Sequence, residues 1–170
     1  MNSNKNTENF TVLVAELLSE YFDSDYETDV LITIGNPPEQ CKVDIMFVGE
    51  QIIAVICKDY SWANADNLPE DVINDFVGTI DFMNKMPKDY RTIIVVKKSA
   101  REVKNETVAE RLLYQVAKAK IGHIFIFEVD EKVKEIIVVN NKMRKDNDDR
   151  VKKEHPAQFQ GDGSRKRFDN

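Results

Sequence analysis

Lys42-Val43-Asp44-Ile45-Met46-Phe47-Val48 is the first half of the most informative stretch of this chain. After a short turn, the second half is Ile52-Ile53-Ala54-Val55-Ile56-Cys57-Lys58. Both halves are apolar and rich in β-branched residues, and Gly49-Glu50-Gln51 separates them, so the pattern predicts a β-hairpin. The first predicted strand carries one carboxylate, Asp44, and the second ends in a lysine, Lys58.

Polarity decides the register of the hairpin. A two-residue loop would bury the carboxylate of Asp44 among hydrocarbon side chains, which costs several kcal/mol. A three-residue loop pairs Val48 with Ile52 and leaves Asp44 opposite Ile56, on a face that we expect to point away from the hydrophobic interior. The residues that share this face are Lys42, Asp44, Met46, Ala54, Ile56 and Lys58.

Hydrophobic periodicity predicts three helices. The first spans about Thr7 to Phe22, with Thr7 as its N-cap. Asn67-Leu68-Pro69-Glu70-Asp71 opens the second helix, with Pro69 at the first helical position and acids in the first turn. The third spans about Val103 to Lys120, with Val108, Leu112 and Val116 facing inward.

Four further strands are predicted outside the hairpin. They run from Tyr26 to Ile34, from Arg91 to Lys97, from His123 to Val129, and from the turn at Asp130 to about Val139. The run from Arg91 to Lys97 is almost wholly apolar at its centre, which is typical of an interior strand covered on both faces.

These elements predict an α/β fold with a mixed sheet flanked by helices on both faces. Its core has the order α-β-β-β-α-β, with a further helix and two strands after it. Short connections favour an antiparallel meander for the first three strands, and a crossover through the second helix makes the fourth strand parallel to the third. We expect residues 1–140 to form a single domain and the polar residues 141–170 to be a disordered tail.

Composition narrows the function classes. The 170 residues carry a net charge of −6, which argues against non-specific coating of DNA. The tail after residue 141 is mildly basic, at +3, on a body of −9. No run of about 18 apolar residues predicts a membrane span. The lack of such a run predicts no membrane partner. Cys41 and Cys57 form no disulfide framework and no metal spacing, so we expect both to pack within the fold and the protein to be cytoplasmic.

The polar face of the hairpin suggests phosphate chemistry. A pair of carboxylates holds a divalent cation that activates water, and a lysine stabilises the charge that develops on phosphate oxygens. Lys42 and Lys58 would flank the single carboxylate of Asp44. The alternative is a surface ion pair between Asp44 and one of these lysines.

Val43-Asp44-Ile45 and Ala54-Val55-Ile56-Cys57-Lys58, with the helix Phe10 to Leu18 before them, resemble the PD-(D/E)XK nuclease superfamily. Within it, the likeness is to Mrr-like restriction endonucleases and Holliday junction resolvases. The resemblance covers about Asn9 to Val129 and implies a restriction-endonuclease-like fold with Mg²⁺ or Mn²⁺ as cofactor. It implies Asp44 as a metal ligand and Lys58 as a catalytic residue. The chain departs from the superfamily at Ile56, where members carry a second acid.

Other residues extend this hypothesis. Some superfamily members recruit an acid from the following helix, where Glu70 and Asp71 are the candidates for metal ligands. These acids also suit the helix dipole without any metal. Tyr60 and Trp62 could stack on nucleobases or simply pack the loop onto the sheet. Two lysines at the end of the fourth strand could meet a phosphate backbone; they are Lys97 and Lys98.

Three functional hypotheses follow, and the residues leave them open. The first is a metal-dependent endodeoxyribonuclease with a degenerate site. The second is a catalytically silent module of the same fold that binds a protein or a nucleic acid. A plain α/β interaction module is a third interpretation. DNA, a protein partner and a second copy of the chain are the partners considered.

Overall fold

Three helices and six strands make up the part of the chain that the computed structural model describes, residues 3–62, 68–100, 106–116 and 121–140. The helices are α1 (Ser3–Phe22), α2 (Glu70–Met83) and α3 (Val108–Val116). The strands are β1 (Tyr26–Ile34), β2 (Glu39–Val48), β3 (Ile52–Lys58), β4 (Arg91–Lys97), β5 (Phe125–Asp130) and β6 (Glu135–Val138). No helix in these ranges is long and apolar enough to cross a membrane.

The six strands form one mixed sheet in which spatial order follows chain order. β1, β2 and β3 are an antiparallel meander, because short turns join them. β3, β4 and β5 are parallel, because α2 and α3 provide the crossovers between them. β6 returns antiparallel to β5. The predicted α/β class, meander and crossover are confirmed, and the predicted tail, residues 141–170, lies outside the described residues.

The hairpin adopts the register that polarity predicts. Val48 pairs with Ile52, and the ladder continues to Ile45 opposite Val55. Continuing this register by one residue on each strand places Asp44 opposite Ile56. This register keeps the carboxylate of Asp44 on the face opposite the core cluster under α1, as polarity predicts.

One face of the sheet packs on α1. Phe10, Val14 and Leu18 of this helix are completely buried against the alternate residues of β2 and β3 that face them. Full burial of each such side chain stabilises the fold by about 1.5–3 kcal/mol. The sheet residues in this cluster are Ile45, Phe47, Ile53, Val55, Cys57, Ile93, Val95, Phe127 and Val129.

The opposite face, which carries Asp44, is also covered. Met46, Ala54 and Ile56 are at most 9% exposed. α2 lies over this face, where its Asp75 contacts Lys58. The crossover helix that makes β4 parallel to β3 packs on this face, which agrees with the predicted helices on both faces of the sheet.

Helix ends differ from the predictions. α1 begins at Ser3, so Thr7 lies within the helix and is not its N-cap. Polar residues extend an established helix at little cost, which explains the earlier start. Pro69 is the residue before α2 rather than its first helical residue, with an extended ψ of 144°.

α3 begins at Val108, five residues after the predicted start at Val103. The reason is a capping box. The Glu110 amide donates to the Thr107 hydroxyl at 3.2 Å, and the Glu110 carboxylate accepts from the Thr107 amide at 3.0 Å. The predicted end at Lys120 lies outside the described residues. β5 also begins later than predicted, at Phe125 instead of His123.

A buried carboxylate lies beside the start of α3. Glu128 of β5 is 3% exposed and accepts hydrogen bonds from the Thr107 hydroxyl and the Ala109 amide. Burial raises its pKa, and these two hydrogen bonds offset the effect only in part. Its Oε1 has no hydrogen-bond partner among the described residues.

Candidate functional site

The hairpin places Asp44 and Lys58 on the same face of the sheet. Val43 and Ile45 on either side of Asp44 are completely buried. Ile45 belongs to the core cluster under α1, as Cys57 next to Lys58 does. Because successive side chains of a strand point to opposite faces, Asp44 and Lys58 both point towards α2. The two charges interact electrostatically, since the positive charge of Lys58 acts to lower the pKa of Asp44.

The carboxylate of Asp44 is bound to the backbone and not to a lysine. Its Oδ2 accepts a hydrogen bond from the Cys57 amide at 2.7 Å. Burial raises the pKa of Asp44 and outweighs the Cys57 hydrogen bond and the charges of the two lysines, Lys58 and Lys42. Asp44 therefore closes the open end of the hairpin ladder, beyond the pair Ile45 and Val55.

Lys58 is held by an acid of α2. Its Nζ lies 2.8 Å from Oδ2 of Asp75, and the same oxygen accepts a hydrogen bond from the hydroxyl of Tyr60. Burial raises the pKa of Asp75, but the bonds from Lys58 and Tyr60 outweigh it, so the net shift is downward. Burial and the bond to Asp75 raise the pKa of Tyr60. The carboxylate of Asp75 therefore balances the positive charge of Lys58 within the protein.

Lys42 is also paired, at the outer side of the hairpin. Its Nζ lies 2.6 Å from Oδ1 of Asp29, and both side chains are more than half exposed. The hydrogen bond with Asp29 raises the pKa of Lys42. Asp29 adopts a left-handed backbone conformation with φ of 57° in the middle of β1. The predicted ion pair between Asp44 and a lysine is replaced by two pairs to acids that the sequence did not single out.

A pocket of about 460 Å³ lies between the hairpin and α2. Lys42 and Lys58 both line it, as expected for residues on one face of the hairpin. Ile56 forms part of its wall at the position where the resemblance expects an acid. The remaining lining residues are Asn74, Asp75, Gly78, Thr79 and Phe82.

Glu70 and Asp71 are exposed in the first turn of α2, and neither lines this pocket. The acid of α2 that reaches the hairpin is Asp75, one helical turn after Asp71. Asp75 binds Lys58, so it acts as a counter-ion to the lysine. Glu70 and Asp71 remain predictions that the pocket geometry does not support.

The side chains at this site do not form a divalent-cation site by themselves. Mg²⁺ requires oxygen ligands in near-octahedral geometry. Asp44 supplies one carboxylate, and Ile56 supplies none. Asp75 is engaged with a lysine and a tyrosine. Among the described residues, no group of three or more His, Cys, Asp or Glu side chains could hold a metal.

The two aromatic residues after β3 have their polar ends bound within the protein. Tyr60 donates to Asp75, and the indole Nε1 of Trp62 donates to the Ser99 carbonyl at 2.9 Å. Both rings are half-buried. The first bond ties Tyr60 to α2 and the second ties Trp62 to the residues that follow β4, so this segment packs against the protein, as the packing alternative predicted.

Lys97 and Lys98 are paired with acids at the same edge. Lys97 lies 2.8 Å from Glu131 and 3.2 Å from Asp59, and Lys98 lies 3.1 Å from Asp130. Burial lowers the pKa of Lys97, but the two acids outweigh it and the net shift is upward. The charge available here for a phosphate backbone is therefore small.

The sequence patterns did not identify two acids of the site, Asp29 and Asp75. Neither stands in a motif, and each reaches its lysine only through the placement of β1 or α2. The thiol of Cys57 is buried, and burial raises its pKa, which fits the packing role predicted for it.

Comparison of the chain with protein-family models, curated proteins and solved structures finds no match.

Proposed function

We propose that this chain is a catalytically silent, nuclease-like binding module. One observation carries the proposal: the lysine that would stabilise a reacting phosphate is bound to Asp75, while apolar Ile56 stands where a second metal ligand would be required. Metal-dependent hydrolysis of a phosphodiester needs an unpaired lysine ammonium for the phosphate oxygens and a water bound to a metal ion. The site offers neither group in the required form.

A protein is the partner that the charges favour. The net charge of −6 repels a nucleic acid, and acidic residues already neutralise the lysines at the candidate site. Nucleic-acid binding draws most of its affinity from unpaired Lys and Arg at phosphates. A cytoplasmic location belongs to the same proposal, on the cysteine usage alone.

Metal-dependent hydrolysis is the second candidate function. It is favoured by the shared face of Asp44 and Lys58 and by the pocket beside them. In that case Asp44 would hold Mg²⁺ or Mn²⁺ with help from substrate phosphates, and Lys58 would have to leave Asp75 to reach a phosphate oxygen.

A cleavage assay separates these functions. The purified chain is incubated with supercoiled plasmid and either Mg²⁺ or Mn²⁺, beside the Asp44→Ala variant. We expect no cleavage above that of the variant and no rise of the melting temperature with either metal. Cleavage that the substitution abolishes would overturn the proposal.

The choice of a protein partner has its own test. Fluorescence anisotropy with labelled duplex, junction and single-stranded DNA is expected to show only weak binding that salt abolishes. Tight binding of one DNA form at physiological salt would instead assign a nucleic-acid partner.

A further inference from the structure

A second pocket, of about 490 Å³, lies at the opposite ends of the parallel strands from Lys58. Arg91 is the first residue of β4 and Phe125 the first of β5, whereas Lys58 is the last residue of β3. The pocket is lined by Gln51, Lys88, Tyr90, Arg91, His123 and Phe125. Its volume falls within the range of roughly 300–1,000 Å³ that is typical of small-molecule sites.

The basic groups of this pocket are not neutralised. Lys88, Arg91 and His123 form no ion pair with an acid within the ranges that the structure describes. In contrast, the lysines of the candidate site and of the end of β4 each lie within 3.2 Å of a carboxylate; they are Lys42, Lys58, Lys97 and Lys98. On an acidic chain, an unpaired lysine and an unpaired arginine at one pocket attract an anion, and the imidazole of His123 adds a hydrogen-bond donor.

Arg91 is held in place by aromatic rings. Its guanidinium carbon lies 4.5 Å from the ring centroid of Phe125 and 5.5 Å from that of Phe22. Stacking fixes the guanidinium plane without using its N–H groups. Its Nε is buried and has no hydrogen-bond partner among the described residues. Because Nε is buried, the donors that remain for a phosphate are the two terminal guanidinium nitrogens, which can bind two of its oxygens side by side.

We propose that this pocket binds a phosphate monoester attached to a planar aromatic group, the chemistry of a nucleoside monophosphate. Arg91, Lys88 and His123 bind the phosphate as hydrogen-bond donors. Tyr90 provides the aromatic wall against which a base packs, while Phe125 holds the guanidinium of Arg91. The same chemistry occurs in a free nucleotide and at the phosphorylated end of a nucleic acid.

Isothermal titration calorimetry on the full chain tests this site, with inorganic phosphate, AMP, adenosine and a 5′-phosphorylated oligonucleotide as probes. AMP is expected to bind saturably and adenosine not to bind. Lys88 and His123 are exposed, so Lys88→Gln and His123→Gln leave the fold intact. Each is expected to weaken AMP binding about ten-fold, the effect of one charge-assisted hydrogen bond.

Lys85→Gln is the matched control. It removes the same charge three residues earlier, from an exposed lysine that does not line the pocket. Binding of AMP must remain unchanged in this variant. If no phosphate-bearing probe binds, or if Lys85→Gln weakens binding as much as Lys88→Gln, the site is refuted. Tighter binding of the oligonucleotide than of AMP would support the site and identify a nucleic-acid end as the source of the phosphate.

Discussion

Replacing Ile56 by glutamate is expected to destabilise the protein and to create a cation site in the same step. Ile56 is 9% exposed, so its removal forfeits about 2 kcal/mol of hydrophobic burial. The new carboxylate lies opposite Asp44, where directly opposed side chains are about 5 Å apart and like charges repel. The new carboxylate is also partly desolvated. The lost burial, the repulsion and this desolvation together should lower the free energy of unfolding by roughly 3–5 kcal/mol at neutral pH.

Metal should recover much of this loss, but only in the variant. Two opposed carboxylates beside Lys58 bind a divalent cation, and binding to the folded state alone stabilises by about 2.7 kcal/mol at a hundred-fold excess over Kd. Urea denaturation followed by circular dichroism, with Mn²⁺ or with EDTA, measures both effects. The original chain should respond equally to the two conditions.

Ile56→Gln is the control for this experiment. It has the same shape as the glutamate variant and loses the same apolar burial, but it cannot hold a cation. If Mn²⁺ stabilises the glutamate variant no more than the glutamine variant, Ile56 does not face Asp44 as the register requires. The common face of the site would then be wrong.

Three other substitutions test the contacts around the site and α3. Asp75→Asn should lower the free energy of unfolding by about 0.5–1 kcal/mol more than Asp81→Asn on the same helix, at neutral pH. Because folding lowers the pKa of Asp75, this difference should vanish as the pH falls through the lowered pKa. Glu128→Gln should gain stability relative to the original chain as pH rises from about 4 to 7, because burial raises the pKa of Glu128 and the charged form opposes folding; a flat difference in thermal melts would contradict this. Thr107→Ala should cost about 1–2 kcal/mol in urea denaturation, since the capping box is lost, and an unchanged midpoint would exclude that role.

The strands were largely predictable because their signals are local. Alternation and turn residues gave β1, β3 and β4 with the bounds that the structure has. The hairpin register followed from the position of one carboxylate. The start of α3 was also encoded locally, in Thr107 and Glu110, but the longer apolar period concealed that capping box.

The site was predictable only in part. Asp44 and Lys58 share a face because strand alternation requires it. Their actual partners depend on tertiary structure. Asp44 binds the Cys57 amide because the hairpin ladder ends there, and Lys58 binds Asp75 because α2 lies over the sheet. No sequence period distinguishes Asp75 from Asp71 one turn earlier, since both lie on the same side of the helix.

The left-handed residue in β1 has a consequence for how copies of the chain meet. β1 is an outer strand of nine residues, and Leu31 and Tyr26 on it are exposed. Such a border invites another strand to add to it and so begin aggregation. The turn of the backbone at Asp29 interrupts the row of free amides and carbonyls, and the Asp29–Lys42 pair adds charge there. Only short runs on either side of Asp29 are left for an incoming strand to pair with.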